Sequence, residues 1–396
     1  MNPLRRLLFA LPCSLALLLV LSASPMGCGG SSSNNNTDAG SDAGSDAGTL
    51  DGPAILGWLD CDPLVPTQCG FPFPSNVYLT DDATTPTGKH VHFGKTTLPK
   101  YFKVAHMDRA LYEDLDGFSP ASAPLMHLPG ATLTGCAGQN DIGTSLTATS
   151  PTVLIEADTG TLVPHWVEFD KSTTDTNDQT FMMRPAVRLK DATRYIVAIR
   201  NIKNASGMAL TPSPVFQALR DGTPSNDLSV EPRRALYTDI FAKLSAAGVA
   251  KTDLQLAWDF TTSSKANHTQ WMIAMRDDAL GKVGTDGPAY TITKKTDNPN
   301  SYIRLRIEGT FKAPLYLDKA DPGAHMNLVN GVPTQNGTMD VPFLVQIPNS
   351  VATDTVGAPI VQQGHGLLGD KTEGENSYFA QLAQNKKYVT IAIDLI

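Results

Sequence analysis

Short apolar runs separated by Pro and Gly dominate the chain from about Gly52 onwards. Runs such as PTVLIEA, LVPHWVEF, TFMMRPAVRL and RYIVAIRNI mostly alternate apolar with polar positions, as half-buried antiparallel strands do. The segment SVEPRRALYTDIFAKLSAAGV differs, because its apolar residues recur at helical spacing. A helix is predicted there, with Asp227 or Ser229 as its N-cap and Gly248 as its stop.

The pattern changes again towards the C-terminus. A strand, LQLAWDF, and a second helix around NHTQWMIAMRDDAL are followed from about Tyr302 by a strand-rich stretch. The chain then reads APIVQQGHGLLGD, SYFAQLAQNKK and YVTIAIDLI, the strand, Gly-rich turn, helix and strand of a βαβ unit. The predicted fold is therefore mixed α and β, with a β-rich domain containing two helices over residues 53–298 and a parallel sheet beginning within 299–396.

The N-terminus is predicted to be an export signal. Two arginines, Arg5 and Arg6, precede the apolar run LLFALPCSLALLLVLSA, which contains proline and is short for a membrane span. Such a segment is typical of a signal peptide, here residues 1–27. The residues MGC at its end resemble a bacterial lipoprotein signal, which predicts a lipidated Cys28 and an outer-membrane or cell-surface location. The alternative is ordinary signal cleavage near Ala23.

A low-complexity tract follows, GGSSSNNNTDAGSDAGSDAGTLDG. It has almost no apolar side chains to bury, so residues 28–52 are predicted to be a flexible tether. It would hold the globular body away from the membrane that the lipid anchor contacts.

Composition excludes some functions. With 396 residues and 41% hydrophobic content, the chain can build a large core. The net charge of -8 and the lack of a basic stripe exclude nucleic acid as an expected partner. The sequence has no Walker or H-E-x-x-H pattern, and no cofactor is expected. His90 and His92 have a chelating spacing but no evident third ligand, so exposed strand histidines are favoured over a metal site.

Three cysteines remain after Cys13 is removed with the signal peptide and Cys28 is lipidated. Cys61 and Cys69 flank a short segment with two prolines, which suits a small disulfide-closed loop. Cys136 would then be a free, buried thiol. The competing arrangement pairs Cys136 with Cys61 or with Cys69.

Three segments together resemble a known family: CGFPFPSNVYLTDDATTPTGKHV, DGFSPASAP and RRALYTDIFAKLSAAGVAKTDLQLAWDFTTSS. They are similar to the N-terminal region of bacterial secreted α/β-hydrolases of the virulence-factor lipase type, over about Cys61 to Ser264. Residues 299–396 resemble the opening of the hydrolase fold, with HGLLGD after its third strand. The resemblance implies esterase or lipase chemistry on an acyl ester, with a Ser nucleophile followed in the chain by an acid and then a His base.

The resemblance also assigns roles in the turn after the His-Gly strand. His365, Gly366 and Leu367 match the oxyanion-forming turn, in which Leu367 would donate its backbone N–H, Gly366 would permit the required backbone conformation and His365 would support the turn. However, the sequence contains no G-x-S-x-G, so the nucleophile, acid and base of the family are missing from it. Residues 299–396 are therefore expected to be only the start of a hydrolase domain.

Two functions follow from these observations. The first is the N-terminal part of an exported, lipid-anchored α/β-hydrolase, inactive by itself because the nucleophile-bearing half is absent. The alternative is a non-enzymatic surface lipoprotein, a β-rich binding or structural module.

Overall fold

The computed structural model describes residues 60–101 and 104–394. The predicted signal peptide, the tether and Cys28 lie outside the described residues. The α-helices are α1 (Pro214–Asp221), α2 (Val230–Ala246), α3 (Lys265–Val283) and α4 (Ser377–Lys386). Short 3-10 helices occupy Asn76–Tyr78, Arg109–Tyr112, Ile142–Leu146, Lys251–Asp253, Asn349–Val351 and Lys371–Glu375.

The described strands follow in chain order: β1 (Leu79–Asp81), β2 (Lys89–Val91), β3 (Lys100–Tyr101), β4 (Ala105–His106), β5 (Leu125–His127), β6 (Thr152–Glu156), β7 (His165–Phe169), β8 (Thr180–Pro185), β9 (Arg194–Arg200), β10 (Leu254–Thr261), β11 (Tyr290–Asp297), β12 (Ile303–Pro314), β13 (Leu328–Val329), β14 (Val332–Pro333), β15 (Thr338–Pro348), β16 (Ile360–Gln363) and β17 (Val389–Ile393).

The first part of the chain is β-rich and contains the main hydrophobic core. Two three-stranded antiparallel sheets, in the orders β10-β9-β6 and β5-β8-β7, contribute to it. The central strand β9 is buried along nearly its whole length, which explains its near-continuous apolar sequence. All fully buried members of this core lie between Leu64 and Phe260.

Helix α2 is amphipathic, as its sequence predicts. Its buried residues recur every three or four positions and pack towards β9 and β10; they are Val230, Arg233, Tyr237, Ile240, Phe241 and Leu244. Ser229 is the N-cap, but its hydroxyl donates to the Asp227 carboxylate instead of capping a helical N–H. The helix ends at Ala246, and Gly248 follows with φ +80, so the predicted stop is present.

The second part is a five-stranded sheet in the order β11-β12-β15-β17-β16, called the large sheet below. A parallel sheet was predicted here, but in the part of the chain that the structure describes only β16 and β17 run parallel. The prediction was right for the βαβ unit because α4 makes the crossover, and wrong for the other strands, which pair antiparallel. The sheet begins with Tyr290–Asp297, ahead of the predicted boundary at 298/299.

The two faces of the large sheet are covered differently. On one face the 3-10 helix Lys371–Glu375 and α4 pack on β15 and β17, and the Gln346 side chain donates to the carbonyl of Gly374 at 2.7 Å. The other face carries Phe311, Phe343 and Ile391, which line an open cavity.

The cysteines adopt the first of the arrangements that the sequence left open. Cys61 and Cys69 form a disulfide. Cys136 is a free thiol and half-buried, and burial raises the pKa of this thiol to about 12. A thiol with so high a pKa is a poor nucleophile at neutral pH. Among the described residues, no helix combines the length and the apolar character needed to cross a bilayer.

Gly117 allows two of the family-like segments to contact each other. It lies in DGFSP, where Phe118 forms backbone hydrogen bonds with Thr261 and Ser263 of the AWDFTTSS segment. A Cβ at Gly117 would lie 2.7 Å from the Ser263 nitrogen and 2.8 Å from the Thr262 carbonyl carbon. Both are backbone atoms and cannot rotate away as a flexible side chain can.

We therefore expect Gly117→Ala to lower the free energy of unfolding by about 1–3 kcal/mol, as overpacking does in other cores. The measurement is equilibrium urea unfolding followed by far-UV circular dichroism. Gly143→Ala is the matched control, because a Cβ there meets no atom within 4 Å. Equal stability of the two variants would contradict the close approach.

Candidate functional site

The turn after β16 is built from Gly366 to Gly369. The Gly369 N–H donates to the Gly366 carbonyl at 3.0 Å, and Leu368 has φ +63. This combination is that of a type II β-turn, with Leu367 at its second position. The side chains of Leu367 and Leu368 are 96% and 97% exposed, so neither leucine packs against the rest of the protein.

This turn places an anionic oxygen against a backbone amide. The Gly366 N–H donates to the Glu373 carboxylate at 2.8 Å. Next to it is the N–H of Leu367, from which no described residue accepts a hydrogen bond. Two consecutive amides, one of them already bound to a negatively charged oxygen, form an arrangement that can stabilise an anion.

A Cβ would be more crowded at Gly369 than at Gly366, for which the sequence predicted the special backbone conformation. A Cβ on Gly366 would make ordinary contacts with the Glu373 carboxylate, at 3.5 and 3.7 Å, and its backbone is not left-handed. A Cβ on Gly369 would collide with the Glu373 side chain and lie 3.1 Å from the Gly366 carbonyl oxygen. The His365 Nδ1 donates to the Gly366 carbonyl at 2.7 Å, so this side chain contacts the turn.

Acidic residues connect the turn to the rest of the sheet. The Lys371 N–H donates to the Asp394 carboxylate at 2.7 Å, which joins the 3-10 helix after the turn to the end of β17. Asp370 caps that helix, and the hydrogen bonds that Thr372 donates to it lower the pKa of its carboxyl group below the ordinary value. Sequence reasoning missed Glu373, because only the fold of residues 370–376 brings its carboxylate to the turn.

An apolar cavity of about 500 Å³ lies on the open face of the large sheet. Its walls come from all five strands of that sheet, with Gln362 contributed by β16. The aromatic and aliphatic side chains that line it are Tyr290, Phe311, Phe343, Ile391 and Ile393. Because Gln362 is only three residues before His365, the cavity and the turn belong to the same end of β16.

A second histidine site is fully buried and has a structural role. His165 is 0% exposed; its Nδ1 contacts the Val163 carbonyl at 2.8 Å and its Nε2 contacts the Thr152 hydroxyl at 2.9 Å. The carbonyl can only accept, so we assign the neutral ring with the proton on Nδ1. Burial lowers the pKa of His165 below its ordinary value.

This burial predicts a loss of stability in mild acid. The unfolded chain binds a proton at His165 below its ordinary pKa of about 6.5, whereas the folded protein resists it, so stability falls as the pH decreases from 7 towards 5. For each unit by which folding lowers the pKa of His165, the free energy of unfolding in acid falls by about 1.4 kcal/mol. Urea unfolding at several pH values measures the slope.

In the His165→Gln variant, the free energy of unfolding should change less with pH than in the wild type. This holds whatever the substitution does to stability at pH 7. An unchanged slope in this variant would assign the acid sensitivity to other groups.

His90 and His92 contact different partners. His90 lies 2.7 Å from the Thr80 hydroxyl and 3.4 Å from the Asp82 carboxylate, while His92 lies 3.6 Å from Glu113. Within residues 60–101 and 104–394, no group of three or more His, Cys, Asp or Glu side chains could hold a metal ion. Each of these histidines therefore lies beside a different carboxylate.

Comparison with known proteins adds no assignment to this geometry. No family model matches the chain, and no curated protein matches it either.

Proposed function

We propose that the chain is part of an exported, lipid-anchored α/β-hydrolase of the esterase or lipase type, for which it supplies the oxyanion-stabilising turn. The observation that carries this proposal is the bond from the Gly366 N–H to the Glu373 carboxylate, with the Leu367 N–H beside it. A carboxylate oxygen has the same charge as the oxyanion of a tetrahedral acyl intermediate. The sequence contains no G-x-S-x-G, so the serine would come from residues other than these.

Two features of the large sheet support the proposal. Among the described strands, β16 pairs with β17 alone, and its Ile360 and Val361 are 68% and 44% exposed. An apolar strand with one open edge is suited to receive a further parallel strand, because strands of parallel sheets are normally covered on both sides. The apolar cavity next to Gln362 has the character needed to hold an acyl chain.

The test begins with the coding DNA downstream of the Ile396 codon. A continuation, in frame or after a frameshift, that encodes G-x-S-x-G would support the proposal, and a stop codon without related coding sequence would contradict it. The longest product is then treated with a fluorophosphonate probe, which reacts with activated serines. Labelling is expected at the serine of that motif, and no labelling of the folded product would count against esterase chemistry.

The 396-residue chain provides the complementary measurement. We expect it to hydrolyse short-chain and long-chain p-nitrophenyl esters no faster than a heat-killed control. Clear hydrolysis would require a serine within this sequence and would refute the role assigned to the turn.

The second candidate is a non-enzymatic surface lipoprotein. Its support is the location of the main core, whose buried members all lie between Leu64 and Phe260 and do not involve the turn. In that case the β-rich part would be the functional module, and no serine in the longest product would react with the fluorophosphonate.

A further inference from the structure

An exposed apolar surface lies on the small hairpin of β3 and β4 and on the 3-10 helix that follows it. It is formed by residues 95–101 and 104–111, called the hairpin surface below. Its exposed large apolar side chains are Tyr101, Val104, Met107 and Leu111. Single exposed apolar residues are normal on protein surfaces, but several within one short stretch indicate a surface that contacts something else.

Hydrogen bonds hold the hairpin of this surface in place. Strands β3 and β4 are antiparallel, with Lys100 opposite His106. The His106 Nδ1 donates to the Leu98 carbonyl at 2.5 Å, and the Met107 N–H donates to the Pro99 carbonyl at 3.0 Å. The exposed apolar side chains therefore belong to a hydrogen-bonded hairpin.

The 3-10 helix Arg109–Tyr112 is attached to the main core. Tyr112 packs edge-on against Phe93 with 5.8 Å between the ring centroids, and the Arg109 guanidinium donates to the Phe93 carbonyl at 3.2 Å. Phe93 is a buried member of that core. Leu111 of the same helix is nevertheless 72% exposed, so the helix is fixed while this leucine stays available for contact.

The charge of the hairpin surface is opposite in sign to that of the whole chain. The surface contains Lys95, Lys100 and Arg109 but only one acid, Asp108, whereas the chain has a net charge of -8. Lys95 and Lys100 are exposed, and neither has an ion-pair partner among the described residues. Exposed apolar side chains next to unpaired lysines are typical of segments that bind anionic lipid surfaces. The apolar groups enter the head-group boundary and the lysines attract the lipid phosphates.

The chain that comes from the predicted lipid anchor enters the described body beside this surface. Asp60 is the first described residue. The Thr97 hydroxyl donates to the Asp60 carbonyl at 2.6 Å, and a Cβ at Gly94 would lie 2.7 Å from the Asp60 Cα. The predicted tether, residues 28–52, would span roughly 25–30 Å as a flexible chain. An acylated Cys28 would thus keep this side of the body near a bilayer, where even a weak surface affinity is effective.

We propose that the hairpin surface binds the surface of an anionic phospholipid bilayer. Tyr101, Val104 and Leu111 enter the head-group boundary, and Lys95 and Lys100 lie among the lipid phosphates. The proposal goes beyond the hydrolase chemistry, but it rests on the membrane location that is part of the proposed function.

The test measures vesicle binding in the absence of the acyl anchor. The mature chain, residues 28–396 with Cys28→Ser, is mixed with vesicles of phosphatidylcholine alone or of phosphatidylcholine with phosphatidylglycerol, and the bound fraction is measured by flotation. We expect binding to the phosphatidylglycerol vesicles, about tenfold or more weaker binding to the neutral ones, and release at ~1 M NaCl, where the screening length is about 3 Å. No binding to the anionic vesicles, or equal binding to both kinds, would overturn the proposal.

Combining Val104→Asp with Leu111→Asp locates the binding surface. These side chains are 83% and 72% exposed, so the double variant should keep the Tm of the parent protein. We expect it to bind the phosphatidylglycerol vesicles about tenfold or more weakly, because aspartate is repelled by the lipid phosphates and does not enter the head-group boundary. Leu228→Asp with Val356→Asp is the matched control, since both residues are 79% exposed and lie outside the hairpin surface. Unchanged binding in the first double variant, or an equal loss in the control, would refute the surface.

Two further measurements separate this proposal from its alternatives. Sedimentation velocity without lipid is expected to give a monomer. A dimer that Val104→Asp with Leu111→Asp dissociates would show that a second copy of the chain covers the surface, which would overturn the proposal. The mass of the exported wild-type protein reports acylation of Cys28 separately. An acylated protein whose Cys28→Ser form ignores vesicles would keep the membrane location and refute the hairpin surface, whereas vesicle binding by an unacylated protein would support the surface and remove the anchor.

Discussion

Replacing Arg233 with methionine is expected to lower the free energy of unfolding by about 3–5 kcal/mol, because it leaves a buried carboxylate without its counter-charge. Arg233 is 5% exposed and its partner Asp62 is 0% exposed, with 2.8 Å between Nη1 and Oδ1. Burial has the largest single influence and opposes the charge on the guanidinium, but Asp62, Tyr237 and Asp227 together outweigh it and raise the pKa of Arg233. Equilibrium urea unfolding of the two proteins measures the difference.

The adjacent arginine is a matched control. Arg234 also pairs with an acid, Glu231, at 2.7 Å, but that glutamate is 65% exposed. Surface pairs contribute about 0–1 kcal/mol, and Arg234 also donates to the carbonyls of Ala218 and Thr223, so Arg234→Met should cost clearly less stability than Arg233→Met. Combining Arg233→Met with Asp62→Asn should recover much of the lost stability, since the buried charge is then gone. A large loss in the double variant would show that packing, and not charge, dominates at Arg233.

This ion pair joins distant parts of the chain. Asp62 lies within the loop closed by Cys61 and Cys69, and Arg233 lies 171 residues later on the buried side of α2. Periodicity alone places Arg233 on a helix, but it does not show that the Asp62 carboxylate lies beside it in the folded protein. Such contacts are a consequence of tertiary packing and explain why a charged residue occupies an otherwise apolar helix face.

The sequence pattern predicted those elements whose buried positions can be recognised within a single segment. The helical spacing of α2 and the apolar run of β10 both led to the observed elements. The unit of β16, α4 and β17 was predicted because a Gly-rich turn and a helix separate two apolar runs. In each case the residues that decide the structure lie within one segment.

Pairing between segments was predicted less well. Strand β11 reads YTITKKTD and is almost wholly exposed, so its sequence lacks the burial pattern of a half-covered strand. Its strand structure depends on hydrogen bonds to β12. The antiparallel pairing of β17 with β15 and the contact of Glu373 with the turn also depend on tertiary packing. A side-chain pattern does not specify which strand or carboxylate will lie beside a segment.

The largest catalytic effect is expected from Leu367→Pro in the longest hydrolase product that the proposed function requires. Proline has no backbone N–H, and the second position of a type II turn accepts it readily. The substitution therefore removes the amide that we assign to the oxyanion while the turn persists. Loss of one such donor lowers kcat by ~10²–10³ with little change in KM. Steady-state kinetics with a p-nitrophenyl ester measures both constants.

Leu367→Ala separates the amide from the side chain, because it keeps the N–H and removes a leucine that is 96% exposed. We expect its kcat to stay near that of the wild type, and both variants to unfold at the wild-type temperature. If the proline variant retained full activity while remaining folded, the Leu367 N–H would not stabilise the oxyanion. If both variants lost activity equally, the exposed side chain would be acting instead, as part of the surface that contacts the acyl group.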